Sequence, residues 1–94
     1  MENQHRQIKG YRELSQEEID LMNRIKEKGA ELLALQSELA AMIGQQHLHK
    51  SHGPVDEFVR FEAAEPMRWA NIGKTDIQTG IMALVRAVAQ PAGV

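Results

Sequence analysis

A helix-initiation signal at Ser15, followed by helical periodicity to about residue 46, restricts the chain to folds that contain one long helix. The Ser15 hydroxyl can accept from the N–H three residues on while the Glu18 side chain reaches back to the Ser15 N–H, which makes a capping box. Apolar residues then recur in an a/d-type seam that Gln36 interrupts: Met22, Ile25, Gly29, Leu32, Leu39 and Ile43. A helix over 15–46 is about 45 Å long, so it must pack along its length on another element.

The second half of the chain predicts a return helix. Gly44 and the polar run that follows it indicate that the first helix ends near residue 46 and that 47–54 form a turn. Helical periodicity resumes over 55–90. The dipeptide Glu65-Pro66 predicts a kink there, because proline suits the first turn of a helix and not its interior.

These elements predict a single all-α domain over residues 1–94. Residues 1–14 form an N-terminal arm that can contain a short helix, and 91–94 form a tail. The apolar residues are mostly Leu, Ile, Met and Ala, and only 4% of the chain is aromatic, which favours helices over strands. The expected fold is an antiparallel helical hairpin.

Self-association is expected because each helix has an apolar stripe wider than one seam. Leu33, Leu35 and Met42 widen the stripe of the first helix, and an isolated hairpin would leave a continuous apolar surface in water. Gly73 and Gly80 lie seven residues apart on one face, which favours close approach of another backbone; the alternative is a weak helix. We therefore expect a homo-oligomer, and a symmetric dimer or a larger closed ring satisfies the pattern equally well.

Charge and cysteine content exclude several classes of protein. The chain has no cysteine, and hence no disulfide framework, thiolate zinc site or cysteine nucleophile. The net charge is −2 and no block is basic enough to coat a duplex, so a polymeric DNA or RNA partner is not expected. No apolar run has the length of a membrane span, and the polar N-terminus lacks the apolar core of a signal peptide. These features favour a soluble, intracellular protein with no membrane partner.

The sequence contains no recognised catalytic or metal-binding motif. A glycine-rich phosphate loop, a nucleophile elbow and an H-E-x-x-H motif are all absent. Three histidines lie in the polar turn, where a solvated loop is a simpler interpretation than a metal site: His47, His49 and His52. Four carboxylates that an acid–base pair would use are more simply explained by helix ends and solvated faces: Glu17, Glu18, Glu62 and Glu65. We therefore expect a protein that is not an enzyme and has no cofactor or metal.

An aromatic ring near several cations marks a candidate ligand site around the start of the long helix. An aromatic ring can stack on a base while cations neutralise its phosphate. The residues in this region are Tyr11, Arg12, Arg24, Lys26 and Lys28. A lone tyrosine is, however, more often a packing anchor, and a helical lysine is more often a solvated charge. From the residues alone, the structural interpretation is the simpler one.

Five short motifs along the two helices connect the chain to a known family. They are IKGY at 8–11, LSQEEI at 14–19, MNRIK at 22–26, IGKTDIQTG at 72–80 and LVRAVAQP at 84–91. With these motifs the sequence resembles the phage anti-CBASS cyclic-oligonucleotide sponge family, which is related to the anti-Thoeris sponges. The similarity covers both helices in register, whereas the middle of the chain, about residues 30–66, departs from the family's pattern.

The resemblance implies a function that composition and periodicity do not. It implies a homohexamer that binds cyclic dinucleotides and, at separate places, cyclic trinucleotides between protomers. The bound messengers are sequestered and not cleaved, which blocks CBASS signalling in the cytoplasm of the infected bacterial host. By the same resemblance, Tyr11 stacks on a purine and Lys26, from a different subunit, pairs with a phosphate.

A second set of residues is expected to bind cyclic trinucleotides. Asn71 and Thr75 are four residues apart and share a helix face, with Lys74 beside them and Arg68 as a further candidate. Three copies around a symmetry axis would present amide, hydroxyl and cation to three phosphates. The alternative interpretation is that these are ordinary polar positions on an exposed helix.

Two rival functions stay open from the sequence. The first is a structural or adaptor protein whose apolar stripes bind a partner helix, which makes Tyr11 and Lys26 incidental. The second is a phosphodiesterase that cleaves the same messengers, which would need a metal or an acid–base set that no motif provides.

Overall fold

The computed structural model describes residues 12–93 and contains three helices. They are α1 (Gln16–Lys50), α2 (Val55–Ala64) and α3 (Pro66–Ala89). α1 packs along α3 and, near its C-terminal end, against α2. No strand occurs among the described residues, so the predicted all-α hairpin is confirmed. Residues 1–11 of the predicted arm, and Val94 of the tail, lie outside the described residues.

The predicted capping box at the start of α1 is present. Ser15 Oγ accepts from the Glu18 N–H at 3.1 Å, and the Ser15 N–H donates to Glu18 Oε1 at 2.9 Å. Two of the four N–H groups that lack a partner within the helix are thereby satisfied, and the Glu17 and Glu18 carboxylates lie at the positive end of the helix dipole. The start of α1 is thus determined by local sequence.

The predicted end of α1 near residue 46 is wrong, because the helix continues to Lys50. The polar residues of its last turn pack against α2 instead of forming a loop. The His47 ring meets the Phe58 ring edge-on at 5.5 Å between centroids, and Lys50 Nζ lies 3.3 Å from Glu57 Oε1. Basic side chains also suit the negative end of the helix dipole. The predicted turn at 47–54 is therefore limited to residues 51–54.

The return segment breaks at Glu65, between α2 and α3. Glu65 has φ 50° and ψ 51°, a left-handed conformation, and Pro66 occupies the first turn of α3. The proline ring disfavours the right-handed helical conformation in the residue before it and lacks the N–H that a continuous helix would need. The kink therefore lies at the predicted position.

The face of α1 that contacts α3 differs in part from the predicted seam. Leu32 and Leu39 are 49% and 44% exposed, so they do not belong to it. The buried or half-buried positions instead follow steps of four and three: Gly29, Leu33, Gln36, Ala40 and Ile43. Gln36, the predicted interruption, faces α3, and its Nε2 donates to the Ala70 carbonyl at 3.0 Å. Two apolar stripes overlap on this helix, and periodicity does not determine which one faces α3.

The hairpin has a very small core for its length. Among the described residues, only three apolar side chains are buried, and each keeps 5–7% of its surface exposed: Ile43, Phe61 and Ala70. The molecule measures 70 × 23 × 17 Å and has a radius of gyration of 20.5 Å, whereas a compact domain of this size has about 12 Å. Hydrophobic burial within one chain therefore contributes little stability. Within residues 12–93, none of the helices has the length and apolarity needed to cross a bilayer.

Candidate ligand-binding site

One side of the hairpin carries a continuous exposed apolar surface, which we call the open face. Its α1 residues are Leu21, Leu32, Leu35, Leu39 and Met42, and its α3 residues are Trp69, Gly73, Ile77, Gly80 and Leu84. Trp69 is 60% exposed and Leu35 is 58% exposed, unusual values for large apolar side chains. A surface of this kind marks an interaction site, because water exposure of contiguous apolar area is unfavourable.

The two glycines of α3 lie on the open face without contacting the rest of the hairpin. A Cβ built on Gly73 or on Gly80 would have no atom within 4 Å apart from its own helix and chain neighbours. Gly73 is next to Trp69 in the lining of the open face, and Gly80 is next to Leu84. The space that these glycines leave is therefore available to another chain.

Lys26, the predicted phosphate-binding residue, is exposed on α1. Arg24 and Lys28, two residues to either side, line the open face. Since each residue of an α-helix is rotated by about 100°, Lys26 points about 160° away from both of them. The structure thus separates Lys26 from the other cations of this segment. Tyr11, the predicted stacking residue, lies outside the described residues.

Arg12, the fourth candidate cation of this region, is engaged within the hairpin. Its guanidinium pairs with Glu18 at 2.5 Å between Nη2 and Oε2. The same group donates to the Val88 carbonyl at 2.8 Å and to the Ala89 carbonyl at 3.2 Å. The Arg12 hydrogen bond, followed by that of the Ser15 N–H, lowers the pKa of Glu18 from 4.5 to about 2. Sequence reasoning identified Arg12 as a cation but could not predict these partners, because Val88 and Ala89 are more than seventy residues away.

The predicted trinucleotide-binding residues lie together on α3. Arg68, Asn71, Lys74 and Thr75 are all exposed, and the first, second and fourth share the helix face that points away from α1. The Arg68 guanidinium stacks over the Trp69 ring at 5.1 Å, which places it at the edge of the open face. Lys74 is rotated by about 100° from Thr75. The structure therefore groups these four residues within about 10 Å along one helix.

The two candidate sites lie at different positions along the hairpin. Gly29 of α1 contacts Ile81 of α3, which fixes the alignment of the antiparallel helices. Lys26 is three residues from Gly29, and Thr75 is six residues from Ile81 in the opposite direction. At 1.5 Å per residue these offsets sum to about 13 Å. Dinucleotide and trinucleotide candidates are therefore separate surfaces.

Titratable side chains at the hairpin tip lie close together, both between α1 and α2 and within α2. His47 Nε2 lies 3.5 Å from Glu62 Oε1, and Glu57 accepts from both Arg60 and Lys50. The Arg60 hydrogen bond and then that of Lys50 lower the pKa of Glu57 from 4.5 to about 2. Within residues 12–93, no three His, Asp or Glu side chains are placed to hold a metal ion. The His47 and Lys50 contacts connect α1 with α2, whereas Arg60 pairs with Glu57 within α2.

The fold and the exposed surfaces define a small helical hairpin protein with an apolar surface available for assembly. The chain belongs to the Acb2/Tad1 hairpin-domain family, whose model matches residues 3–89. It is 55% identical to anti-CBASS protein 2 of Pseudomonas phage JBD67 over 107 aligned positions that span 99% of each chain. The family resemblance predicted from the sequence is thereby confirmed, and the family model also covers residues 30–66, where the sequence motifs gave no match.

Proposed function

We propose that this protein binds and sequesters cyclic di- and trinucleotide messengers without cleaving them, and thereby blocks CBASS signalling in the cytoplasm of the infected bacterial host. The observation that carries the proposal is the full-length similarity to a protein named anti-CBASS protein 2.

A homo-oligomer, a hexamer by the family resemblance, provides the binding sites. The open face supports assembly, because a second copy of the chain would cover Trp69, Leu35 and their neighbours. The small core supports it too, since burial between chains would supply stability that one chain lacks.

The dinucleotide site combines Tyr11 of one chain with Lys26 of another. Tyr11 directly precedes Arg12, which is paired with Glu18 in the first turn of α1. Lys26 lies eight residues beyond Glu18, about 12 Å along the helix. By the family resemblance the pocket lies between chains, where the Tyr11 ring stacks on a base and the Lys26 ammonium of another chain pairs with a phosphate.

The trinucleotide site draws on Arg68, Asn71, Lys74 and Thr75. Their guanidinium, amide, ammonium and hydroxyl groups are hydrogen-bond partners for phosphates and base edges. Related copies of α3 would repeat the set around a symmetry axis. A binding set of this type suits sequestration, because side chains on rigid helices lose little conformational entropy when a ligand binds.

The experiment that tests the proposal is native mass spectrometry with a panel of cyclic di- and trinucleotides. We expect one oligomer mass with several nucleotides bound, and intact cyclic nucleotides after the complex is heat-denatured. Release of linear products would contradict sequestration and would indicate phosphodiesterase activity instead.

A structural or adaptor protein is the second candidate, and the open face is the observation that favours it. A partner helix would occupy the same apolar groove between α1 and α3. This function predicts no rise in melting temperature with any cyclic nucleotide, whereas sequestration predicts a rise that grows with ligand concentration.

A further inference from the structure

The Arg68 guanidinium lies over the ring of Trp69, the next residue of α3. Its Cζ atom is 5.1 Å from the ring centroid, which is within the range of a cation–π interaction. Neighbouring residues of a helix point about 100° apart. The guanidinium must therefore turn towards the ring, and the contact is not a consequence of the helix alone.

The charge of Arg68 is not neutralised within the described part of the hairpin. No carboxylate among residues 12–93 forms an ion pair with it, although Glu62 and Glu65 line the same groove. Arg60, by contrast, is an exposed arginine that pairs with Glu57. The Arg68 charge is thus available to an anion while the guanidinium contacts the indole ring.

The position of Arg68 in α3 means that the helix itself does not hold the cation in place. Arg68 is the third residue of α3, where the helix dipole disfavours a positive charge, and no acidic residue lies in the first turn. The Trp69 ring is then the group that attracts the guanidinium. An anionic ligand beside Arg68 would be attracted both by the cation and by this end of the helix.

The Trp69 ring belongs to the open face. It lines the apolar groove together with Leu35 and Gly73, and most of its surface is exposed in the single chain. A second copy of the chain that covers this face would remove water from the ring, and a cation–π interaction becomes stronger when it is desolvated. Assembly would therefore strengthen the contact that fixes Arg68.

We infer that Trp69 is a positioning residue for cyclic trinucleotide binding: its ring holds the Arg68 guanidinium in the orientation that meets a phosphate. This inference rests on the proposed function, in which Arg68 contacts the ligand. Arginine has a long side chain with several rotatable bonds, so fixing it before the ligand binds lowers the entropy lost on binding. Trp69 acts through Arg68 and does not itself contact the ligand.

The chain contains one tryptophan, so fluorotryptophan incorporated during expression changes Trp69 alone. Fluorine withdraws electron density from the face of the ring, which weakens its attraction for a cation while the shape of the side chain changes little. We expect the affinity for cyclic trinucleotides to fall stepwise from tryptophan to mono-, di- and trifluorotryptophan, by about threefold in total. Cyclic dinucleotide affinity and the oligomer mass, measured by native mass spectrometry, should stay at their native values.

Arg68→Gln tests whether the ring acts through the guanidinium. This variant should bind cyclic trinucleotides more weakly than the native protein, and its affinity should not depend on fluorination. In the ligand-free protein, Arg68→Gln should also shift the ¹⁹F resonance of monofluorotryptophan, because it removes the cation from the ring. Arg60→Gln is the matched control, since it removes an exposed arginine of α2, and it should keep both the native resonance and the stepwise fall.

The outcomes separate this inference from the proposed function. Trinucleotide affinity that does not fall with fluorination would overturn the inference and leave sequestration intact; a rise would indicate that Trp69 stacks directly on a base. An unshifted ¹⁹F resonance in Arg68→Gln, or a stepwise fall that persists in that variant, would overturn it as well. If the native protein binds no cyclic trinucleotide at all, that part of the proposed function is wrong, and the role of Trp69 is wrong with it.

Discussion

The Ile81 side chain of α3 lies directly over Gly29 of α1. A Cβ built on Gly29 would be 2.2 Å from Ile81 Cδ1 and 2.7 Å from Ile81 Cγ1, and both distances are shorter than non-bonded carbon atoms adopt. Gly29 is buried although it has no side chain, because Ile81 covers it. The contact brings the two long helices together and fixes their alignment near the middle of α3.

Gly29→Ala should destabilise the hairpin. Alanine is favoured over glycine in a helix by about 1 kcal/mol, but overpacking costs about 1–3 kcal/mol, and the β-branched Ile81 is restricted in how it can move. We expect the free energy of unfolding to fall by about 1 kcal/mol, measured by urea denaturation at fixed protein concentration. Gly44→Ala is the control, because a Cβ there meets nothing within 4 Å, and it should be neutral or stabilising. Equal stability of the two variants would contradict the close contact.

Acidification should weaken the interaction between Arg12 and Glu18 at the open end of the hairpin. The pKa of Glu18 is about 2 in the folded protein against an ordinary value of 4.5. A lowered folded pKa gives stability that is present above pH 4.5 and is lost as the pH falls from about 4.5 towards 2. The free energy of unfolding should therefore decrease less between pH 5 and pH 2 in Glu18→Gln than in the native protein. NMR titration checks the cause directly, and a Glu18 carboxyl that titrates near 4.5 would contradict it.

The sequence predicts the local features of the fold well because local interactions determine them. The Ser15 cap and the break before Pro66 each depend on residues a few positions apart. The end of α1 depends on contacts between His47 and Phe58 across a turn, so residue types alone suggested a loop. The burial of Leu33 rather than Leu32 is likewise not predictable from the sequence. Both leucines fit a helical period, and the position of α3 decides which of them is covered.

The sequence predicts the residue types of the candidate site and not their arrangement. Lys26 and Thr75 both lie within the family motifs, and the structure places them at different positions along the hairpin. The commitment of Arg12 to Val88 and Ala89 was not predictable, because it depends on the two ends of the hairpin meeting. In the proposed assembly, contacts between chains complete the pockets, and no pattern within one chain predicts such contacts.

Gly80→Ala tests the open face as the assembly surface. In an isolated hairpin the added methyl group meets nothing within 4 Å, so alanine should raise helix stability by about 1 kcal/mol. If the backbone of a second copy lies against Gly80, the same methyl group weakens assembly. We expect a larger dissociation constant by sedimentation equilibrium, with Gly44→Ala as the control that leaves it unchanged. Unchanged assembly in Gly80→Ala would remove this part of α3 from the interface.

Removing the Thr75 hydroxyl should reduce cyclic trinucleotide binding selectively. Thr75→Val keeps the shape of the side chain and removes its donor, and we expect a loss of about tenfold, typical of a hydrogen bond to a charged phosphate. Thr79→Val is the matched control, since the Thr79 hydroxyl already donates to the Thr75 carbonyl at 3.0 Å within the helix. Calorimetry with both ligand classes measures the effect. Equal losses in the two variants would indicate a change in the helix and not a lost contact.

Lys26→Ala should abolish cyclic dinucleotide binding without changing assembly, as should Tyr11→Ala. Arg60→Ala is the control for Lys26, because it also removes one exposed cation but lies on α2, at the other end of the hairpin, where it pairs with Glu57. The affinity of the native protein for cyclic dinucleotides should fall as the salt concentration rises. This salt dependence should be weaker in Lys26→Ala, because the variant lacks one positive charge. If both Tyr11→Ala and Lys26→Ala still bind cyclic dinucleotides tightly, the assignment of these residues to the dinucleotide site is wrong.

Mixed oligomers distinguish a pocket between chains from a pocket within one chain. When Tyr11→Ala chains and Lys26→Ala chains are unfolded together and reassembled, some interfaces combine an intact Tyr11 from one chain with an intact Lys26 from the other. A pocket shared between chains therefore regains dinucleotide binding in the mixture, although neither variant binds alone. A pocket built within one chain has no intact copy in any such mixture. Recovered binding, counted by native mass spectrometry as nucleotides per oligomer, is the result that we expect, and its absence would place both residues in the same chain's pocket.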